Sequence, residues 1–118
     1  MDWEKELKYF DLFHKPRKSS SDDSGSLYLG MRELDEKILI LQYLPKYSKT
    51  SRHYHKEITE RHIVLAGACY SNNKKVDNEF VSNPGDVHFL ETKEKGCLMI
   101  LEIYPPTNSW KKDKIVIK

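Results

Sequence analysis

An all-β sandwich or barrel is the fold class this chain predicts, on three observations. Short apolar segments with strand patterning follow one another from Leu27 to Tyr104, turn residues separate them at close intervals, and only the first dozen residues carry a helical pattern. At 118 residues the chain is large enough for one core and too small for two.

Trp3, Leu7 and Phe10, with Phe13 next in the series, recur at helical spacing. This predicts a short amphipathic helix over residues 2–13 that ends before Pro16 and either packs on the barrel exterior or forms a dimer arm. The Ser-rich stretch 18–26 has no periodicity and is expected to be a mobile loop. Residues 1–25 are therefore expected as an arm and loop, and residues 26–118 as the β domain.

Segments 27–34 and 37–44 are separated by Asp35-Glu36, which predicts a tight hairpin that Pro45 terminates. Segments 51–55, 60–70, 79–82, 86–91 and 97–104 complete the central strands. Between them stand Asn72-Asn73, Asn83-Pro84-Gly85 and Lys95-Gly96, all common turn chemistry. Pro105-Pro106 ends the last core strand, and Ile115-Val116-Ile117 is a candidate edge pairing.

The chemistry-bearing stretch is His53-Tyr54-His55-Lys56-Glu57-Ile58-Thr59-Glu60, which runs into the apolar pattern Ile63-Val64-Leu65-Ala66-Gly67. In an extended segment His53 and His55 point to one face and can reach one metal ion. Glu60 on the next strand and His88 in Gly85-Asp86-Val87-His88 add a carboxylate and a third imidazole. Three neutral nitrogen donors and one oxygen donor suit a divalent first-row metal. A lone His in a small domain is more often a surface or hydrogen-bonded residue than a ligand, but the spacing of these four reverses that expectation. Glu57 shares a face with His55 and is an alternative ligand, with a solvated turn residue as its ordinary role.

At these residues the chain resembles a single-domain cupin. The first motif of that family has two His one residue apart, a Glu four or five positions after the second His, and a Gly seven residues after the Glu. His53, His55, Glu60 and Gly67 meet all four positions. The opening Gly of the motif is replaced by Tyr47, a change at a turn that leaves the ligands untouched. The second motif is matched in part: Gly85 stands three residues ahead of His88, Pro84 directly precedes Gly85, and Thr92 replaces the usual Asn. The two motifs cover about the middle third of the chain. The resemblance implies a double-stranded β-helix, the small jelly-roll barrel, with one divalent transition metal per chain, Fe(II), Mn, Ni or Zn, held by His53, His55, Glu60 and His88. Inward positions on adjacent strands of such a barrel converge on one cavity, which explains ligands scattered along the sequence.

If Glu60 faces inward, so do His62 and Val64 until a bulge intervenes. His62 is then either a hydrogen-bonded cavity residue or a general acid/base, the candidate catalytic group. On the strand 97–104, Met99, Leu101 and Ile103 form one face, and Leu98, Ile100, Glu102 and Tyr104 the other. The first face is expected inward. The reverse would add the Glu102 carboxylate and the Tyr104 phenol to the cavity.

Charge points to no polyanionic partner: 20 Lys plus Arg against 18 Asp plus Glu leave a formal net charge of +2, and the charges are dispersed. The run Lys111-Lys112-Asp113-Lys114 is expected to be a solvated turn, not a nucleic-acid patch. No apolar run is long enough to span a membrane, and the N-terminal residues lack a signal-peptide layout, so a soluble cytoplasmic protein without nucleic-acid or membrane partners is expected. Cys69 and Cys97 lie in apolar strand patterns and are expected to be reduced and buried. Exposed strand edges and the apolar Trp3, Phe10 and Ile115-Val116-Ile117 lead to the expectation of a homodimer.

Three functions fit these residues. A metal bound by three His and one Glu keeps two positions for a substrate. The resemblance to cupins implies oxygenases, sugar isomerases or epimerases and decarboxylases as outcomes, and the function expected first is a metal-dependent enzyme on a small molecule, of dioxygenase type or of sugar isomerase or epimerase type. The others are a non-catalytic metal-containing binding or sensing module and a structural barrel, for which the chain is small and rich in site residues. Fold alone does not decide among them.

Overall fold

The computed structural model describes residues 8, 10–18, 25–106 and 113–117. Among these every regular element is a strand: β1 (Asp11–Lys18), β2 (Leu27–Glu33), β3 (Ile38–Leu44), β4 (His53–His55), β5 (Thr59–Gly67), β6 (Tyr70–Ser71), β7 (Lys74–Lys75), β8 (Glu79–Ser82), β9 (Leu90–Glu91), β10 (Cys97–Tyr104) and β11 (Lys114–Val116). The large sheet has the order β1-β2-β3-β10-β5-β8, and smaller sheets pair β11 with β4 and β7-β6-β9. Every pairing is antiparallel. Isolated bridges His53↔His88 and Lys49↔Glu91 join the two smaller sheets into one layer opposite the large sheet.

Antiparallel strands present alternate residues to each face, and the inner face of β10 carries Met99, Leu101 and Ile103, as the parity of the sequence leads one to expect. They pack with Ile40, Leu44, Ile58, Cys69 and Leu90 in the space between the layers. Burying one such side chain stabilises by roughly 1.5–3 kcal/mol. Glu102, on the opposite face, ion-pairs with Lys37 (3.0 Å) and Arg61 (3.3 Å), so neither it nor its strand's outer face enters the cavity. Cys69 and Cys97 are free and buried.

The helix expected over residues 2–13 is corrected where it can be seen: residues 11–13 belong to β1, paired along the edge of the large sheet at Asp11↔Met31 and Leu12↔Gly30. Residues 2–7 and 9 lie outside the described residues. The helical spacing of Phe10 and Phe13 is overridden because an edge strand needs only one inward group: Phe13 packs on the interior cluster while most of β1 is exposed. Pro16 is tolerated on such an edge, where the register shifts between Leu12 and Arg17.

The long segment 60–70 is two strands, not one. Opposite Leu98 and Met99 the register of β5 slips, pairing Leu98 with Ala66 and Met99 with Val64, so Leu65 is the extra residue of a bulge. At the end of β5, Gly67 has φ +83°, and a Cβ there would lie 1.9 Å from the carbonyl oxygen of Gly96. Only glycine fits, and the chain turns there towards the second layer. β6 and β7 then form a hairpin through Asn72 and Asn73, both at positive φ. Segment 86–91 is mostly loop; only Leu90–Glu91 is regular strand, and His88 joins the layer through its bridge to His53.

Candidate metal centre

β4 is a short strand held on both edges. β11 pairs along one side, Lys114↔His55 to Val116↔His53. On the other, His53 and His88 exchange backbone hydrogen bonds of 3.0 and 2.8 Å. The third imidazole arrives through the turn Asn83-Pro84-Gly85-Asp86, in which the Asp86 amide donates to the Asn83 carbonyl at 3.0 Å and Gly85 adopts φ +88°. Pro followed by a positive-φ Gly is the chemistry of a type II turn. The Gly85 amide donates to the His55 carbonyl at 2.8 Å, tying this turn to β4.

The structure brings together His53, His55, Glu60 and His88, all buried, with one ligand-type atom from each lying within 4.8 Å of all the others. Glu57 is exposed and takes no part. Nε2 of His55 lies 2.8 Å from Glu60 Oε1 and Nε2 of His88 lies 3.5 Å from it. The His55 approach is short yet misaligned as a hydrogen bond, and both ring nitrogens of His55 are buried without a hydrogen-bond partner. Atoms that converge without bonding one another suit a common third partner, and the donor set of three imidazoles and a carboxylate fits a divalent metal.

The outward nitrogens support that fit. His53 Nδ1 donates to the Ser51 carbonyl at 2.7 Å. His88 Nδ1 donates to the Asp86 carbonyl at 3.1 Å and lies 2.8 Å from Ser82 Oγ. A carbonyl only accepts, so the proton sits on Nδ1 in both rings and the inward Nε2 keeps its lone pair.

Electrostatics favour the same charge states. Burial and repulsion from His88 lower His53 to about 4, against a smaller upward pull from the Ser51 carbonyl, so its ring is neutral at pH 7. Burial would raise Glu60, but contacts with His55, His62 and His88 hold its carboxyl well below the ordinary range. An anionic Glu60 and a neutral His53 are what metal binding requires.

His62 faces the same interior. Its Nε2 is 3.7 Å from Glu60 Oε1, both ring nitrogens are buried without a hydrogen-bond partner, and burial lowers its basicity. Val64 shares the inner face up to the bulge and packs with Leu44 and Met99. A cleft of about 240 Å³ lined by Ser71, Asn72, Phe80, Ser82, Asp86 and His88 adjoins the cluster. Sequence reasoning missed two polar groups. Gln42, between Ile40 and Leu44 on the inner face of β3, has a buried Oε1 without partner, visible only as a polar break in an apolar strand. Asp113, in the run read as a solvated turn, reaches the turn after β4.

The family's two substituted positions meet at one place. Tyr47 adopts φ 55°, the left-handed conformation that suits the family's Gly. Thr92 Oγ1, at the Asn position, accepts from the Ser48 amide at 2.9 Å and donates to the Pro45 carbonyl, so it clamps the turn that holds Tyr47.

No family model and no curated protein matches the chain by sequence. Solved structures do match by fold. The polyketide cyclase RemF from Streptomyces resistomycificus aligns with a TM-score of 0.68 at 16% identity, over 81% of this chain and 78% of that one. A cupin-like protein from Thermotoga maritima aligns at 0.66 and 18% identity, over 91% and 88%. A sugar phosphate isomerase of the cupin superfamily from Silicibacter pomeroyi aligns at 0.59 and 17% identity, over 79% and 71%. With its two antiparallel layers and its buried group of three His and one Glu, the chain has the double-stranded β-helix fold of the cupin superfamily.

Proposed function

We propose that this protein is a metal-dependent enzyme acting on a small molecule by proton transfer, of the isomerase or epimerase type. The observation that carries the reading is His62, a buried imidazole without a hydrogen-bond partner, beside the His53, His55, Glu60 and His88 group. Leaving such a group unpaired costs about 1–3 kcal/mol, which a bound substrate would offset. One divalent metal, Fe(II), Mn, Ni or Zn, fits the four ligands and would polarise a carbonyl or hydroxyl oxygen. His62 would hold or move the proton at Nε2, and Gln42 would offer its amide to a polar substrate atom. Neighbours described as a polyketide cyclase and a sugar phosphate isomerase support redox-neutral chemistry.

A dioxygenase-type reaction is the second reading, favoured by the apolar inner wall of Ile40, Met99, Leu101 and Ile103. Elemental analysis followed by a substrate screen, scored for O2 consumption and for sugar isomerisation, separates the two. Full metal occupancy with no turnover in either screen would point to a binding or sensing module.

We also propose a cytoplasmic homodimer. Among the described residues no helix is long and apolar enough to cross a membrane. The outer face of the large sheet carries Leu29, Leu39, Ile63, Leu65 and Leu98, only partly buried around Phe10, Leu41 and Ile100. Such a row is unusual for a solvated face. Sedimentation should give a dimer; a monomer at high concentration would remove this proposal.

A further inference from the structure

Asp113 holds the turn that leaves β4. Its carboxylate accepts from the Glu57 amide at 3.0 and 3.2 Å and from the Ile58 amide at 3.1 Å. Its own carbonyl accepts from the Lys56 amide at 3.3 Å. Thus fixed, Oδ2 stands 4.0 Å from Nδ1 of His55, with the Asp113 side chain about 10% exposed and that of His55 about 5%.

Of the three imidazoles in the cluster, two have a clear acceptor at Nδ1, the carbonyls of Ser51 and Asp86. The third, His55, has none within hydrogen-bond distance. A metal on Nε2 requires the proton of a neutral ring to sit on Nδ1, and a buried N–H needs an acceptor. The ion-pair distance to Asp113 Oδ2 identifies a carboxylate on the side where that acceptor is needed, about 1 Å beyond bonding range.

We propose that Asp113 is a positioning residue for the metal centre: its carboxylate accepts a hydrogen bond from Nδ1–H of His55 when Nε2 binds the metal, making the residue that leads into β11 part of the site. The inference rests on the metal-binding reading above. A carboxylate behind a ligating imidazole fixes the ring's tautomer and orientation and raises its basicity, and loss of such a partner weakens metal affinity. Through the same strand, the β11–β4 pairing couples the C-terminal segment to two of the four ligands.

The test is zinc affinity by competition with a chromophoric chelator, on metal-stripped wild type, Asp113→Asn and His55→Ala. Asn keeps a side-chain oxygen for the Glu57 and Ile58 amides while removing the charged acceptor. The expected result is affinity about 10- to 100-fold weaker for Asp113→Asn, with the melting temperature of the metal-free protein unchanged. Independently of any variant, long-range imidazole ¹⁵N spectra of the zinc-loaded wild type should show His55 protonated at Nδ1 and metal-bound at Nε2. Wild-type affinity in Asp113→Asn, or the opposite His55 tautomer, would leave Asp113 a turn cap only and overturn the inference. If wild type itself took up no zinc, the metal-binding reading would fall first and this one with it.

Discussion

Phe80 lies flat against His62, with ring centroids 4.4 Å apart and planes 4° from parallel, the two residues being direct cross-strand partners of β8 and β5. The stack fixes the imidazole plane without using either nitrogen, so the ring is oriented while both nitrogens stay free of hydrogen bonds. Replacing His62 by Phe should preserve metal content and fold while lowering turnover about 10²-fold or more, the scale for losing a general acid or base. Unchanged turnover would leave His62 a cavity-lining residue.

The two carboxylates near His55 should separate cleanly. Glu60 is buried among the imidazoles, whereas Glu57 is exposed and contributes its backbone amide to the Asp113 contact. His55→Ala and Glu60→Ala should each bring metal content close to zero, and Glu57→Ala should leave it at the wild-type level. Plasma mass spectrometry of protein purified from metal-supplemented medium reads this directly.

Stability of the metal-free protein should fall as pH drops from about 6.5 to about 4. The His53 ring is held neutral to about 4 when folded but takes up its proton near 6.5 when unfolded, and His62 is shifted in the same direction. In that window the unfolded chain binds more protons, so acid favours it, by at most about 1.4 kcal/mol per pH unit for each proton. Glu60, held below its ordinary value of 4.5, adds a further loss at more acidic pH. Urea unfolding at a series of pH values tests this; a flat profile between pH 6.5 and 4 would contradict it.

Tyr47 occupies the left-handed region at φ 55° with its side chain 74% exposed. A non-Gly residue there costs roughly 1–2 kcal/mol, and the added freedom of an unfolded Gly cancels part of the gain. Tyr47→Gly should therefore stabilise by about 0.5–1 kcal/mol, measured by chemical denaturation, without altering metal affinity. A destabilised variant would mean that the Tyr47 ring makes contacts its exposure does not suggest.

Much of this molecule is legible in its sequence because alternation is a local signal. β2, β3, β8 and β10 were readable from apolar patterning and Pro or Gly punctuation, and the inward face of β10 from its Met99, Leu101, Ile103 row. His53, His55, Glu60 and His88 were readable from spacing, and the structure places them together. What was not legible depends on partners far away in the chain. β1 could not be told from a helix because its strand character comes from lying along β2, and the break at Gly67 depends on the approach of Gly96. The contact of Asp113 with the turn after β4 bridges 55 and 56 positions of sequence and leaves no local trace.

β10 inserts between β3 and β5 in the large sheet although it follows both in the chain. The two strands that flank it are therefore not neighbours until it arrives, and the sheet cannot close by zipping from one hairpin to the next. Folding dominated by such distant pairings is slow, on the order of milliseconds to seconds. The order of events matters for the imidazoles as well: the inner wall behind His62 is built by Leu101, its partner on β10. The candidate metal pocket therefore depends on a long-range pairing, and metal met before that pairing forms would find separate histidines instead of a finished cage.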